Sequence, residues 1–186
     1  MHSLSNQKQQ RGFSLVELLL VLGVLAILLV AAFVVFPQVR DRNQANAEVT
    51  NLTTIKAGIT NLFASKGGNY TDVDTSLVNA ARIFPTSMNG GVYTASADIS
   101  TAWGGSVTIA PGAPVPPSTT PRTFEITYSD VPAGVCLGLI SGAATNFQDI
   151  TDGTDSLFTS PGQLDLTAAT TLCNGTGPIS LTFVSN

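Results

Sequence analysis

From Leu18 to Phe36 the sequence runs for 19 residues without a polar side chain, and only Ser14 and Glu17 interrupt the apolar stretch that begins at Phe13. As a helix rising about 1.5 Å per residue, that run spans close to the ~30 Å hydrocarbon core of a bilayer. The segment belongs in lipid or in an equally dry protein interior. Basic residues flank it on both sides, Lys8 and Arg11 before and Arg40 and Arg42 after. The charge comparison across the membrane is therefore nearly balanced and sets no orientation.

Three readings of this N-terminus compete. A secretory signal peptide needs a basic start, an apolar run of about 7–15 residues and a small-residue cleavage site. Val30-Ala31-Ala32 loosely offers the site, but the run is too long and Glu17 stands where the apolar stretch should already have begun. A plain transmembrane anchor explains the length and leaves Glu17 unexplained, since a carboxylate at depth in lipid costs on the order of 3 kcal/mol and wants a partner. A cut between Gly12 and Phe13 supplies one. The new amino group of Phe13 would lie one helical turn, about 6 Å, from Glu17. It can pair with Glu17 of its own chain or with that of a neighbour displaced along a shared axis, and buried ionic groups are best attested in such a registry role.

Beyond the apolar run, Pro37 removes a helix hydrogen bond and is expected to kink or loosen the helix. Val49, Leu52, Ile55, Ile59, Leu62 and Phe63 then recur at steps of three and four, a face that should pack on a globular head. Arg40, Asp41, Arg42 and Glu48 are expected to look outward, as a solvated helix face or as contacts between neighbouring subunits. Gly67-Gly68-Asn69 ends the helix. A short helix is expected within Val73–Ala81. Val107-Thr108-Ile109 follows a Gly104-Gly105 turn, and the five prolines from Pro111 through Pro121 mark an exposed loop. Phe124, Ile126 and Tyr128 alternate along one strand, and Ile179, Leu181 and Phe183 along another. A long helix followed by antiparallel strands argues an α+β head.

Only 11% of the 186 residues are charged and the formal net charge is −4. A nucleic-acid surface built on dense basic residues is excluded, because such affinity scales with the phosphates neutralised. Disorder is excluded too, since it needs low hydrophobicity and high net charge. Cys136 and Cys173 are the only cysteines. Behind a membrane-directing segment they read as one disulfide in an oxidising compartment, with two unpaired buried thiols as the alternative. A zinc site lacks a second pair of ligands, and the single histidine is His2. Gly90-Gly91 and Gly104-Gly105 lack the Lys-Ser/Thr of a phosphate loop and read as turns. Asp149, Asp152 and Asp155 cluster around Gly153, but their spacing is not that of an EF-hand, and a solvated acidic loop is expected over a Ca²⁺ site. Trp103 is expected to anchor a turn or the core. No catalytic set, cofactor or metal is expected.

Arg11-Gly12-Phe13-Ser14-Leu15-Val16-Glu17, followed by the long apolar helix, resembles the cleavage and methylation site of type IV prepilins. The resemblance implies that a prepilin peptidase removes a leader, residues 1–12, by cutting after Gly12, and N-methylates Phe13. It implies that Glu17 docks the subunit into a growing filament. It also implies the family's layout: an apolar helix, residues 13–36, whose protruding half spans the membrane and later builds the filament core, and an α+β head, residues 37–186, with an antiparallel sheet and a C-terminal loop bounded by Cys136 and Cys173. The stretches Ala102–Ile109 and Phe124–Tyr128, the latter continuing through Val131-Pro132 to Cys136, are similar to segments of type IVb pilins of conjugative thin pili and enteric adhesive pili. The 12-residue leader and Phe13 are nearer to type IVa habit.

The function expected from this resemblance is that of a major pilin, a homo-oligomeric filament subunit for adhesion, aggregation or conjugative mating contact. Its partners would be the peptidase, an assembly ATPase, an inner-membrane platform and a secretin. The precursor would sit in the inner membrane with its head in the periplasm, and the product on the cell surface. A pseudopilin of a type II secretion system, a minor pilin and a membrane-anchored periplasmic binding domain are the alternatives.

Overall fold

A computed structural model describes residues 14–160 and 162–186, with the side chains of Val34 and Val35 outside the description. The chain divides into two compact units, one ending at Val39 and one running from Arg40 to Asn186. One helix, α1 (Leu15–Phe63), contributes to both. Pro37 lies inside it, at a point where its ring leaves one helix hydrogen bond unmade.

Within the second unit α1 buries Ala45, Glu48, Leu52, Ile55, Ile59 and Phe63. These positions recur at three and four residues and so share one stripe of the helix. Val49 is half-buried and Leu62 is 39% exposed, so the buried stripe centres one position earlier than the apolar residues alone suggest. A 3₁₀ turn, Ala64–Lys66, closes the helix, and Gly67 terminates it at φ 63°, a left-handed conformation that favours glycine. Two short helices follow, α2 (Thr75–Ala80), capped by Asp74 accepting the Leu77 N–H, and α3 (Thr86–Asn89).

The strands are β1 (Val107–Pro111), β2 (Phe124–Val131), β3 (Asp149–Thr151), β4 (Phe158–Ser160), β5 (Gln163–Leu164) and β6 (Ile179–Ser185). Helix α4 (Ala133–Ala143) lies between β2 and β3, and α5 (Leu166–Cys173) between β5 and β6. Four strands form an antiparallel sheet in the order β1-β2-β6-β3, while β4 and β5 pair as a separate hairpin. The register is set by burial. Ile109, Ile126, Phe183 and Ile150 stand opposite one another across all four strands and are buried. The adjacent row, Thr108, Thr127, Thr182 and Thr151, lies on the other face. A slip of one residue would exchange the two rows, burying hydroxyls and exposing the core.

The free edge of β1 is closed. Thr75 Oγ1 accepts the Ile109 N–H at 2.8 Å, Ile99 O accepts the Val107 N–H at 3.0 Å, and Pro111 has no N–H to offer. The strands expected at Phe124–Tyr128 and Ile179–Phe183 are both present, with the alternating residues inward. Strand β3 begins in the stretch expected to be a solvated acidic loop, and helices α4 and α5 occupy stretches for which no helix was expected.

Candidate functional site

The N-terminal part of α1 is apolar on every side. Leu15, Ile27 and Phe33 are more than two-thirds exposed, and Leu18 through Leu22 are each at least half exposed. This helix is long and apolar enough to cross a membrane. Among the described residues Gly23 has no neighbouring group within reach of a Cβ, so close packing within them does not explain the glycine. Glu17 is exposed in the first turn of α1, where a carboxylate is favoured by the unpaired N–H groups of the helix start. Gly12 and Phe13, the expected cleavage and methylation positions, lie outside the described residues.

Arg40 and Arg42 are exposed as expected, but Glu48 is not. It is 2% exposed, and its carboxylate is held by three donors. Oε1 accepts the Ala102 N–H at 2.9 Å, and Oε2 accepts from Asn51 Nδ2 at 3.0 Å and from the Tyr128 hydroxyl at 3.4 Å. The expectation of an outward-facing Glu48 is therefore corrected. Position 48 falls on the same stripe as Leu52, Ile55 and Ile59, and hydrogen bonds from a loop and a strand replace the water it gives up. Burial, reinforced by the Glu48 charge, pushes the Tyr128 hydroxyl well above the usual tyrosine range.

Asp41 is half-buried against α4. Gly134, Gly138 and Gly142 of α4 face Asp41, Ala45 and Val49 of α1 in the same order, so the two helices run parallel with backbone in close approach. A Cβ on Gly138 would stand 3.0 Å from the Ala45 Cβ, and one on Gly142 2.8 Å from Val49 Cγ2. Gly134 lies in the first turn of α4, so the Asp41 carboxylate sits where helix N–H groups favour negative charge.

Cys136 of α4 and Cys173 of α5 form a disulfide with Cα atoms 5.6 Å apart, and no free cysteine remains among the described residues. The bond ties α5 to the helix that grips α1. Trp103 is half-buried, donating its indole N–H to Ser129 O at 3.2 Å, with its ring 6.1 Å from that of Tyr128. It anchors the turn beside the Glu48 contact.

In the acidic loop the Asp149 and Asp152 carboxylates are engaged with the chain itself. Asp152 Oδ1 accepts the N–H groups of Thr154 and Asp155 at 2.8 and 2.7 Å, and Asp149 Oδ1 accepts from Ile150 N and Ser156 Oγ at 2.8 and 2.6 Å. Among the described residues no three carboxylate, thiol or imidazole side chains converge as metal ligands would. Among the described residues Lys66 and Asp72 make the one ion pair, at 2.7 Å on the surface.

Comparison with known proteins decides the family. Residues 42–186 match the family described as PilS N terminal, and residues 7–33 match the prokaryotic N-terminal methylation motif. The chain belongs to the PilS family of type IVb pilins.

The fold agrees. The crystal structure of a type IVb pilin from Salmonella typhi is 21% identical, with 74% of this chain and 98% of that one covered at a TM-score of 0.51. TcpA, a type IV pilin from Vibrio cholerae El Tor biotype, is 19% identical over 79% and 99% of the two chains, with a TM-score of 0.49. No curated protein sequence matches the chain. In this pilin the long helix, the antiparallel sheet and the Cys136–Cys173 bond are the type IV pilin arrangement. Pilins of this family are structural subunits. Sequence reasoning missed Glu48 as the link between α1, the Ala102 loop and β2, and the glycine face of α4. Both had a signal: Glu48 sits four residues before Leu52 on the buried stripe, and the α4 glycines are spaced by four.

Proposed function

We propose that this pilin is the major subunit of a type IV pilus. The observation that carries the reading is the exposed apolar surface of α1 from Leu15 to Phe33, within a matched methylation motif. Such a surface is satisfied first by lipid and then by the same segment of neighbouring subunits. Moving from bilayer to filament core gains little hydrophobic energy, because both are dry, so helix packing and ionic pairing decide the assembled register.

On this reading residues 1–12 are removed by prepilin peptidase, which cuts between Gly12 and Phe13 and methylates the Phe13 amine. Residues 13–36 anchor the precursor in the inner membrane and then form the filament core, and residues 37–186 form the head. Glu17 pairs with the Phe13 amine of a neighbour, and Pro37 gives the helix local freedom where it leaves the core. An assembly ATPase and inner-membrane platform supply the work of extraction, and a secretin the exit. The finished filament stands on the cell surface, where low-charge, hydroxyl-rich head surfaces serve adhesion, aggregation or mating contact.

The test is Glu17→Ala in the native host, read by electron microscopy of sheared surface material and by the size of the chain. Normal cleavage with filaments lost or sharply reduced is expected. Normal piliation in that variant would sink the pairing argument.

A further inference from the structure

Asparagine followed by glycine occurs twice in the sequence, at Asn89-Gly90 and at Asn174-Gly175. The dipeptide has a chemistry of its own. The glycine nitrogen can attack the asparagine Cγ and close a succinimide ring, because no Cβ on the glycine obstructs the approach. The fold treats the two pairs in opposite ways.

At the first pair the carboxamide is locked. Asn89 is 5% exposed, its Nδ2 donates to Asn79 Oδ1 at 2.8 Å, and its Oδ1 accepts the Gly91 N–H at 2.9 Å. Asn79 is buried as well, and its Nδ2 donates to Val92 O at 3.1 Å and to Thr94 O at 2.9 Å. Turning the Asn89 Cγ towards the Gly90 nitrogen would leave buried polar groups without partners.

At the second pair nothing holds the side chain. Asn174 is exposed at the C-terminal cap of α5, and among the described residues its carboxamide has no hydrogen-bond partner. The Gly175 N–H donates to Leu172 O at 3.1 Å, a bond that must open before the nitrogen can reach Cγ. Gly175 through Pro178 are all exposed, so that opening gives up no buried contact. Cys173, one residue earlier, is tied to Cys136, so α5 stays docked while the turn moves.

We infer that Asn174 is a site of spontaneous deamidation, with water as the only co-reactant. The Gly175 nitrogen forms a bond to the Asn174 Cγ as the Cγ–Nδ2 bond breaks, and Nδ2 leaves as ammonia with the proton that Gly175 gives up. Water then opens the ring on either side, leaving aspartate or isoaspartate at position 174. Both products put a carboxylate at the C-terminal end of α5, where unpaired carbonyls disfavour negative charge. Isoaspartate also routes the main chain through the side-chain methylene, so the Gly175–Leu172 bond loses its geometry. The turn from α5 into β6 therefore loosens as the protein ages, beside a disulfide that keeps the helix in place.

For the experiment, the full chain is purified in detergent with its disulfide intact and incubated in warm, mildly alkaline buffer. Samples are then unfolded, reduced and cut before aspartate, which releases Asp74–Ala97 with Asn89 and Asp165–Asn186 with Asn174. Isoaspartate is read by methyl transfer from a protein isoaspartate methyltransferase, and total conversion by the mass of acid over amide. Label and acid mass should accumulate with time on Asp165–Asn186 and not on Asp74–Ala97. In urea with the disulfide reduced, both peptides should take the label, because the fold and not the dipeptide protects Asn89. Asn174→Gln should lose the label from Asp165–Asn186 and Gly175→Ala should cut it severalfold, with unchanged thermal unfolding showing that the Gln variant folds. A folded chain unlabelled at Asn174 while the unfolded chain is labelled there, equal labelling of Asn89 and Asn174 in the folded chain, or label persisting on Asp165–Asn186 in Asn174→Gln would overturn it.

Discussion

Glu48 Oε1 accepts the backbone N–H of Ala102 at 2.9 Å, joining α1 to a loop 54 residues further along the chain. The same carboxylate takes the Asn51 amide and the Tyr128 hydroxyl. Glu48→Ala leaves the part-buried Ala102 N–H and the buried Tyr128 hydroxyl without an acceptor, which should cost about 2 kcal/mol. Glu48→Gln keeps an acceptor oxygen and should cost roughly half as much. Urea unfolding of the disulfide-intact chain measures both, and an Ala variant within 0.5 kcal/mol of the parent (about the scatter of an ordinary surface substitution) would contradict the role given to this contact.

The parallel contact of α1 with α4 depends on missing side chains. Gly138→Leu or Gly142→Leu must force the helices apart at Ala45 or Val49, and overpacking of this kind costs about 2 kcal/mol. Gly138→Ala is the informative control. Its Cβ is tight rather than impossible at 3.0 Å, and alanine gains about 1 kcal/mol of helix propensity, so it should be near neutral. Equal losses for Ala and Leu at this position would mean the seam is not what the glycines serve.

Removing the disulfide should loosen the same region. The bond closes a separation of 37 residues, worth about 4 kcal/mol by chain entropy. Cys136→Ser with Cys173→Ser should lower stability by that order. Hydrogen exchange should show the loss of protection centred on α4 and α5 rather than on β1 and β2.

Acid should weaken the head in a definite direction. Asp74 is held below the ordinary carboxylate value, chiefly by the Leu77 N–H and then by the Ser76 hydroxyl. Asp152 is held down by the N–H groups of Asp155 and then Thr154. A depressed pKa in the fold means that the unfolded chain takes up protons first. The stability each group contributes is therefore present in full above the unfolded value, about 4, and is lost as pH falls through the folded value. Burial raises Glu125 instead, so its contribution falls as pH rises through its carboxylate range. The thermal midpoint should drop below pH about 4, and Asp74→Ala should flatten that drop.

Much of this architecture was legible in the residues. Leu52, Ile55, Ile59 and Phe63 announced a helix face, Gly67 its end, and Phe124-x-Ile126-x-Tyr128 and Ile179-x-Leu181-x-Phe183 the paired central strands. The parts that were not legible share physical causes. Helix α4 carries three glycines, each unfavourable in a helix interior, and forms because those glycines let it approach α1. Strand β3 is only Asp149–Thr151 and sits in a stretch that reads as an acidic loop; pairing with β6 makes it a strand. Glu48 misled because a charged residue is mostly exposed, and two of its three donors come from positions 102 and 128, which no local pattern connects to it.

The central claim, that this pilin is a processed filament subunit, is tested most directly by intact mass and N-terminal sequencing of protein sheared from the surface of the native host. The account predicts an abundant chain that begins at N-methylated Phe13 and is two hydrogens lighter than its reduced form. An uncut chain still beginning at Met1, found only in membranes, would contradict it.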